Sequence, residues 1–137
     1  KYLPRRGDQN IPDPNLTNPN NYRAIRYADV LLMAAEAHNR GGLDEAKALG
    51  YLNQVRERAF GNSTNNITAT GTALTDAILE ERRLELMGEG HRFFDLVRTG
   101  RAPQAINGFV SGKHELFPIP FQEIQFSAGN WSQNPNY

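Results

Sequence analysis

Residues 75–100, TDAILEERRLELMGEGHRFFDLVRTG, hold more charge and more apolar weight together than any other stretch of the chain. At about 100° per residue, Glu81, Glu85 and Glu89 form one acidic ridge, with Arg82 beside it and Ile78 within it. Leu79 and Leu86 fall on a second side, and Ala77, Leu84 and Met87 on a third. A surface helix keeps one apolar stripe and one wet face; apolar weight on several sides predicts a helix covered on several sides. Some of its charges must then be shielded, which a folded chain tolerates only when they are paired and hydrogen-bonded. Arg82, Arg83 and Arg92 supply the cations. Gly88 and Gly90 break the helix, and Arg92 opens a second, with Phe93, Phe94, Leu96 and Val97 on one face and Arg92, Asp95 and Arg98 on the other. Thr75, followed by Asp76, is the predicted N-cap of the first.

Working outward, Ile25 to Asn39 carries Asp29, Glu36 and Arg40 in one narrow polar stripe, with Val30, Leu31, Leu32, Met33 and several alanines over the rest. This predicts a largely enclosed helix. Gly41 and Gly42 stop it, and Asp44 opens a second helix to about Ala59 with Ala48, Leu49, Leu52, Val55 and Ala59 on its apolar face. The short glycine turn folds the two back to back into an αα-hairpin. Arg56 projects from that apolar face and reads as a buried partner for an acidic residue of the central helix rather than an anion clamp.

The alanines of the first helix, Gly42 at the turn and Ala46 early in the second give a tetratricopeptide-like alternation of small and large residues. Residues 75–107 repeat the hairpin layout loosely, after an Asn, Thr and Gly-rich surface loop at 61–71. Pro118 and Pro120 force an extended piece, Phe121 to Phe126 form a short helical turn, and the tail SAGNWSQNPNY lies irregularly across the helices, anchored by Trp131 and Tyr137. Residues 1–24, with Pro4, Pro12, Pro14 and Pro19, read as an extended lead-in to a helical domain over 25–137. The fold class is all-α, tetratricopeptide-like helical hairpins with an irregular C-terminal tail.

The run E-R-R-x-E-L-x-x-E-G-x-R-x-x-D-L-x-R, Glu81 to Arg98, resembles the signature of the C-terminal region of SusD/RagB-family nutrient-binding outer-membrane lipoproteins. IRYADVLLMAAEA (Ile25 to Ala37) with LNQVRERA (Leu52 to Ala59), and LFPIP (Leu116 to Pro120) with the closing QNPNY (Gln133 to Tyr137), extend the resemblance in the family's order to the end of the chain. Phe93 stands where Trp is frequent, and Asn136 where Gly is frequent; Asn tolerates a positive φ. The resemblance implies a cell-surface protein of the outer membrane that binds a glycan or other nutrient, without catalysis, and delivers it to a SusC-like TonB-dependent transporter. It implies a ligand site built from loops upstream of the matched region, so that Glu81, Arg82, Arg83, Glu85, Glu89, Arg92, Asp95 and Arg98 are structural residues. A start at Lys1 reads as a fragment whose signal and lipid anchor lie upstream.

Composition narrows the alternatives. A chain of 137 residues fits one domain and buries roughly two thirds of its unfolded surface. Fifteen basic residues balance fifteen acidic ones, so no long-range field draws in nucleic acid or anionic lipid. The absence of cysteine removes disulfides, thiolate metal sites and thiol nucleophiles, and no apolar run reaches the 18 or so residues of a membrane span. His38, His91 and His114 are scattered, without H-E-x-x-H or E-x-x-H, so no metal or other cofactor is assigned.

Chemistry fares no better. The acidic ridge raises the question of a glycosidase pair, but nearby cations favour ionised carboxylates, the opposite of what a general acid needs. Gly88-Glu89-Gly90 lacks the third glycine and preceding strand of a dinucleotide loop, and no serine sits in a nucleophile-elbow context. The ridge reads as a structural ion-pair network of Arg56, Glu81, Arg82, Glu85, Glu89, Arg92, Asp95 and Arg98. Trp131 and Tyr22, in loop-like stretches, are the candidate sugar platforms, although such rings more often pin irregular chain to a core. Three classes stay in view: nutrient capture, a tetratricopeptide-like protein-protein adaptor, and a carbohydrate-active enzyme fragment. LFPIP and QNPNY, absent from generic helical-repeat adaptors, favour the first.

Overall fold

A computed structural model describes residues 24–137; the proline-rich lead-in and Tyr22 lie outside the described residues. The described residues form six helices and no strand: α1 (Tyr27–Arg40), α2 (Glu45–Phe60), α3 (Gly71–Glu85), α4 (Arg92–Arg98), α5 (Ala102–Ala105) and α6 (Phe121–Phe126). They fall into two units, one ending at Asn66 and one running from Ile67 to Tyr137.

In the first unit, α1 and α2 pack along one another as an αα-hairpin. The turn is built by its glycines. Gly42 has φ +61°, its N–H donates to the Asn39 carbonyl at 3.2 Å, and Leu43 N–H donates to the His38 carbonyl at 3.0 Å. These two bonds make a Schellman ending, which satisfies the last carbonyls of α1 and needs a residue at ease with positive φ. At Gly41 a β-carbon would stand 2.6 Å from the Ala37 carbonyl oxygen, so the turn has no room for one. Asp44 then caps α2, its Oδ1 accepting from Lys47 N–H at 2.9 Å.

That hydrogen bond, followed by the charge of Lys47, holds the Asp44 carboxyl below its ordinary value of 3.8. A carboxyl whose folded value is depressed stabilises the fold fully above its unfolded value and loses that contribution as pH falls through the folded one. Acid titration is therefore expected to fray the first turn of α2 below about pH 4, read as faster amide exchange at Lys47. Asp44→Asn, which keeps the cap without the charge, should flatten that dependence; an unchanged pH profile in this variant would show that Asp44 is not its source.

The core of this hairpin is Ala28, Leu31, Leu32 and Ala35 of α1 with Ala48, Leu52 and Val55 of α2, all buried. The enclosure of α1 is partial, and it includes the polar stripe. Asp29 and Glu36 are buried, whereas Val30 and Met33 are each 44 % exposed. Buried positions 28, 31, 32 and 35 follow the 3, 4 spacing of one helical face, and Asp29 and Glu36 border it; Val30 and Met33 lie away from it. Glu36 accepts from Arg40 at 2.7 Å, one turn on. On α2, Ala59 is exposed and does not join the apolar face.

In the second unit α3 begins at Gly71, with Thr70 as the N-cap, five residues before the predicted cap at Thr75. Thr75 is inside the helix, its hydroxyl donating back to the Gly71 carbonyl at 3.5 Å. The earlier start brings Leu74 onto the same face as Ile78, and both are fully buried. Apolar burial over an extra turn outweighs the local capping preference of Thr75, since packing decides helix extent more than propensity does. Helix α3 ends at Glu85, and Gly88 and Gly90 turn the chain at φ +81° and +84°. The hairpin expected here is not a second copy of the first: α4 has only seven residues, and α3 and α4 do not lie along one another as α1 and α2 do. Helix α4 closes like α1, with Gly100 N–H on the Val97 carbonyl at 3.0 Å and Arg101 N–H on the Leu96 carbonyl at 2.8 Å.

The tail is held by side-chain amides and by Tyr137, whose ring also lies 4.7 Å from the Lys113 ammonium. Gln133 grips the backbone of Ile119 on both sides, Nε2 donating to its carbonyl and Oε1 accepting from its N–H, each at 2.8 Å. Asn134 donates to the Phe117 carbonyl, Asn136 to the Gly112 carbonyl and the Tyr137 hydroxyl to the Leu116 carbonyl. The tail thus runs beside residues 112–119. Trp131, expected as an anchor, is 55 % exposed. Asn136 has φ +67°, the conformation that glycine or asparagine accepts most easily.

Candidate functional site

The charged signature of residues 81–98 folds into the interior of the second unit. On α3, Leu74, Ile78, Glu81, Arg82 and Glu85 are buried, at spacings of 4, 3, 1 and 3. That is one helical face, apolar in its first half and charged in its second. Glu89, in the turn, and Asp95, on α4, are buried as well. Asp95, expected on the charged face of α4 and in the ion-pair network, is buried against Arg82: Arg82 Nε donates to Asp95 Oδ2 at 3.0 Å. The other oxygen, Oδ1, accepts from Arg98 Nε at 2.9 Å and from its terminal nitrogen at 2.6 Å. One buried carboxylate therefore ties α3 to α4 and α4 to its own last turn. Three hydrogen bonds and its burial leave it little capacity to serve a substrate.

Two other arginines face outward. Arg83 holds the exposed Glu80 through Nε at 2.8 Å, and this hydrogen bonding, followed by the charges of Arg83 and then Arg92, keeps the Glu80 carboxyl below its ordinary value. Arg92 is exposed and makes no ion pair within 4.0 Å among the described residues, so it stands apart from the Arg82, Asp95 and Arg98 cluster. Beside these groups is a cavity of about 450 Å³ with Leu86, Met87 and Phe93 in its wall, together with Arg83, Arg92 and the Arg82 to Asp95 pair. Phe93 is fixed by neighbouring rings, Phe94 at 5.7 Å and Phe117 at 5.9 Å between centroids. The wheel places Phe93 and Arg92 on opposite faces and gives no sign of this cavity, which the turn at 86–90 creates.

Arg56 belongs to the first unit and is half-buried. Its Nε donates to the Asn65 carbonyl at 2.7 Å and its guanidinium lies 5.2 Å from the centre of the Phe60 ring, so it ties the loop after α2 back to the helix. Glu57 adds to this by accepting from Asn66 at 2.6 Å. Arg56→Ala is expected to remove about 1 kcal/mol of stability, seen as a lower melting temperature with earlier amide exchange around Asn65; an unchanged melting curve would show that the loop holds without it. Among the described residues no group of three or more His, Asp or Glu side chains is arranged to hold a metal ion.

Comparison with known proteins agrees with the geometry. The profile of the SusD family matches residues 2–115. Two SusD-like proteins of Formosa agariphila, P25 and P2, are 36 % and 33 % identical over 126 and 133 residues, covering 82 % and 85 % of this chain but 23 % and 26 % of their own lengths. A crystal structure of a SusD homolog from Bacteroides thetaiotaomicron superimposes with a TM-score of 0.75 at 34 % identity, covering 86 % of this chain and 26 % of that one. The chain thus spans about a quarter of the length of the relatives it matches. The profile covers most of the chain, the relatives are about a third identical over most of it, and a solved homolog shares its fold: the chain belongs to the SusD family.

Proposed function

We propose that this chain is the helical scaffold of a non-catalytic, cell-surface protein that captures a glycan or other nutrient at the outer membrane and hands it to a SusC-like TonB-dependent transporter. Family membership supports the class, and the state of the carboxylates supports the role. Asp95 is sealed and spent on two arginines, and Glu81, Glu85 and Glu89 are buried. Buried charge in pairs fixes the arrangement of helices and offers no acid, base or nucleophile to a substrate. Among the described residues no helix is long and apolar enough to cross a membrane; in this reading a lipid anchor outside this chain attaches the protein to the surface.

Incubating the parent protein with labelled oligosaccharides tests this directly. Retention without cleavage is the expected result, while turnover would replace it with an enzyme and neither would leave a protein-binding adaptor. The 137-residue chain alone should retain oligosaccharide weakly or not at all, since the capture site lies upstream in this reading; tight retention would relocate it here. Pull-down of the parent from outer membranes should bring a TonB-dependent transporter with it, and its absence would remove that partner.

A further inference from the structure

Among the described residues, Arg92 stands in the wall of a cavity whose other cations are already committed. Arg82 is committed to Asp95 and Arg83 to Glu80, which leaves Arg92 as the guanidinium in that wall without a close carboxylate. Glu80 attracts it only at longer range. A guanidinium presents a planar fork that matches a carboxylate with two parallel hydrogen bonds. One open fork suits one negative charge; a phosphate, with close to two, would call for more donors than the wall leaves unused. The rest of the wall is apolar. Phe93, Met87 and Leu86 offer a face on which the C–H side of a sugar ring can lie, its positive hydrogens toward the negative face of the phenyl ring. The volume, about 450 Å³, is within the range of small-molecule sites.

We infer that this cavity is an accessory subsite for a carboxylate-bearing sugar, Arg92 taking the carboxylate and Phe93 the ring. The inference rests on the saccharide reading of the family proposed above, and it adds a second, weak point of contact away from the main capture site. It makes the scaffold a participant in choosing acidic over neutral glycans.

The test is a titration of the 137-residue chain, followed by amide NMR, with a uronic-acid disaccharide, the neutral disaccharide of the same linkage, and a short acidic peptide. The uronate should shift Met87, Arg92 and Phe93, with affinity falling as salt is added, and the neutral sugar should bind at least tenfold more weakly. Arg92→Ala should weaken the uronate by roughly tenfold. Arg92 is exposed and holds no close partner, so this variant should melt as the parent does; Arg92→Lys, which keeps the charge without the fork, should fall between the two. Equal binding of the neutral sugar, shifts confined to other residues, undiminished binding in Arg92→Ala, or tighter binding of the peptide would each overturn the subsite. Capture of neutral oligosaccharide by the parent protein does not involve Arg92, so that measurement fails or succeeds independently of this one.

Discussion

Asp95→Ala is expected to cost about 3 to 5 kcal/mol, the loss that follows when one partner of a buried pair is removed and the other stays behind. Arg82 is 4 % exposed, so water cannot replace the lost carboxylate. Arg98 is nearer the surface and can be rehydrated, so most of the penalty falls on Arg82. Native domains are stable by only about 5 to 15 kcal/mol. The variant should therefore melt far below the parent, or lack a cooperative transition in the second unit, when followed by circular dichroism. Replacing both partners by apolar residues, Arg82→Met with Asp95→Leu, should recover much of the loss, since an apolar pair can substitute for a buried ion pair. A single Asp95→Ala variant that melts within a degree of the parent would show that the cluster does not hold α3 to α4.

The second large effect lies in the first unit. Leu32 and Leu52 are fully buried where α1 meets α2. Leu32→Ala should cost about 2 to 5 kcal/mol, combining lost burial with the cavity that the surrounding helices cannot close. Its neighbour Met33 is 44 % exposed, and Met33→Ala should stay within about 0.5 kcal/mol of the parent. Denaturant midpoints of the two variants check both numbers against each other. Similar losses at 32 and 33 would mean that α1 is enclosed on every side, as its sequence suggests.

That contrast shows what can be read from the amino acids and what cannot. The glycine turns, the Asp44 cap and the positive φ of Asn136 follow from local chemistry, because each depends on one or two neighbouring residues. Which side of α1 is covered does not. Its apolar residues run most of the way round, so the wheel has no dry side to choose, and partners distant in sequence make the choice. For the same reason Thr75 looks like a start although the helix begins at Gly71: a hydroxyl cap is a local preference, and burying Leu74 is a tertiary gain. Asp95 is the sharpest case. Spacing alone places it with Arg92 and Arg98 on a polar face, and only the approach of Arg82, thirteen residues away, draws it inside. The cavity beside Arg92 is less legible still, since it is made by the fold of the 86–90 turn and not by any motif.

The grip of Gln133 on Ile119 has a consequence beyond holding the tail. Residues 117–120 lie outside any helix or turn, and Phe117 among them is exposed; an uncovered segment of that kind is a template on which a foreign strand can add. A side-chain amide has one donor and one acceptor side by side, the same pair that an incoming backbone would bring. By taking both groups of Ile119, Gln133 fills the pairing position from within the chain, and proline at 118 and 120 removes the N–H on either side. The closing motif thus occupies, from within the chain, the backbone pairing position at Ile119 that a foreign strand would need.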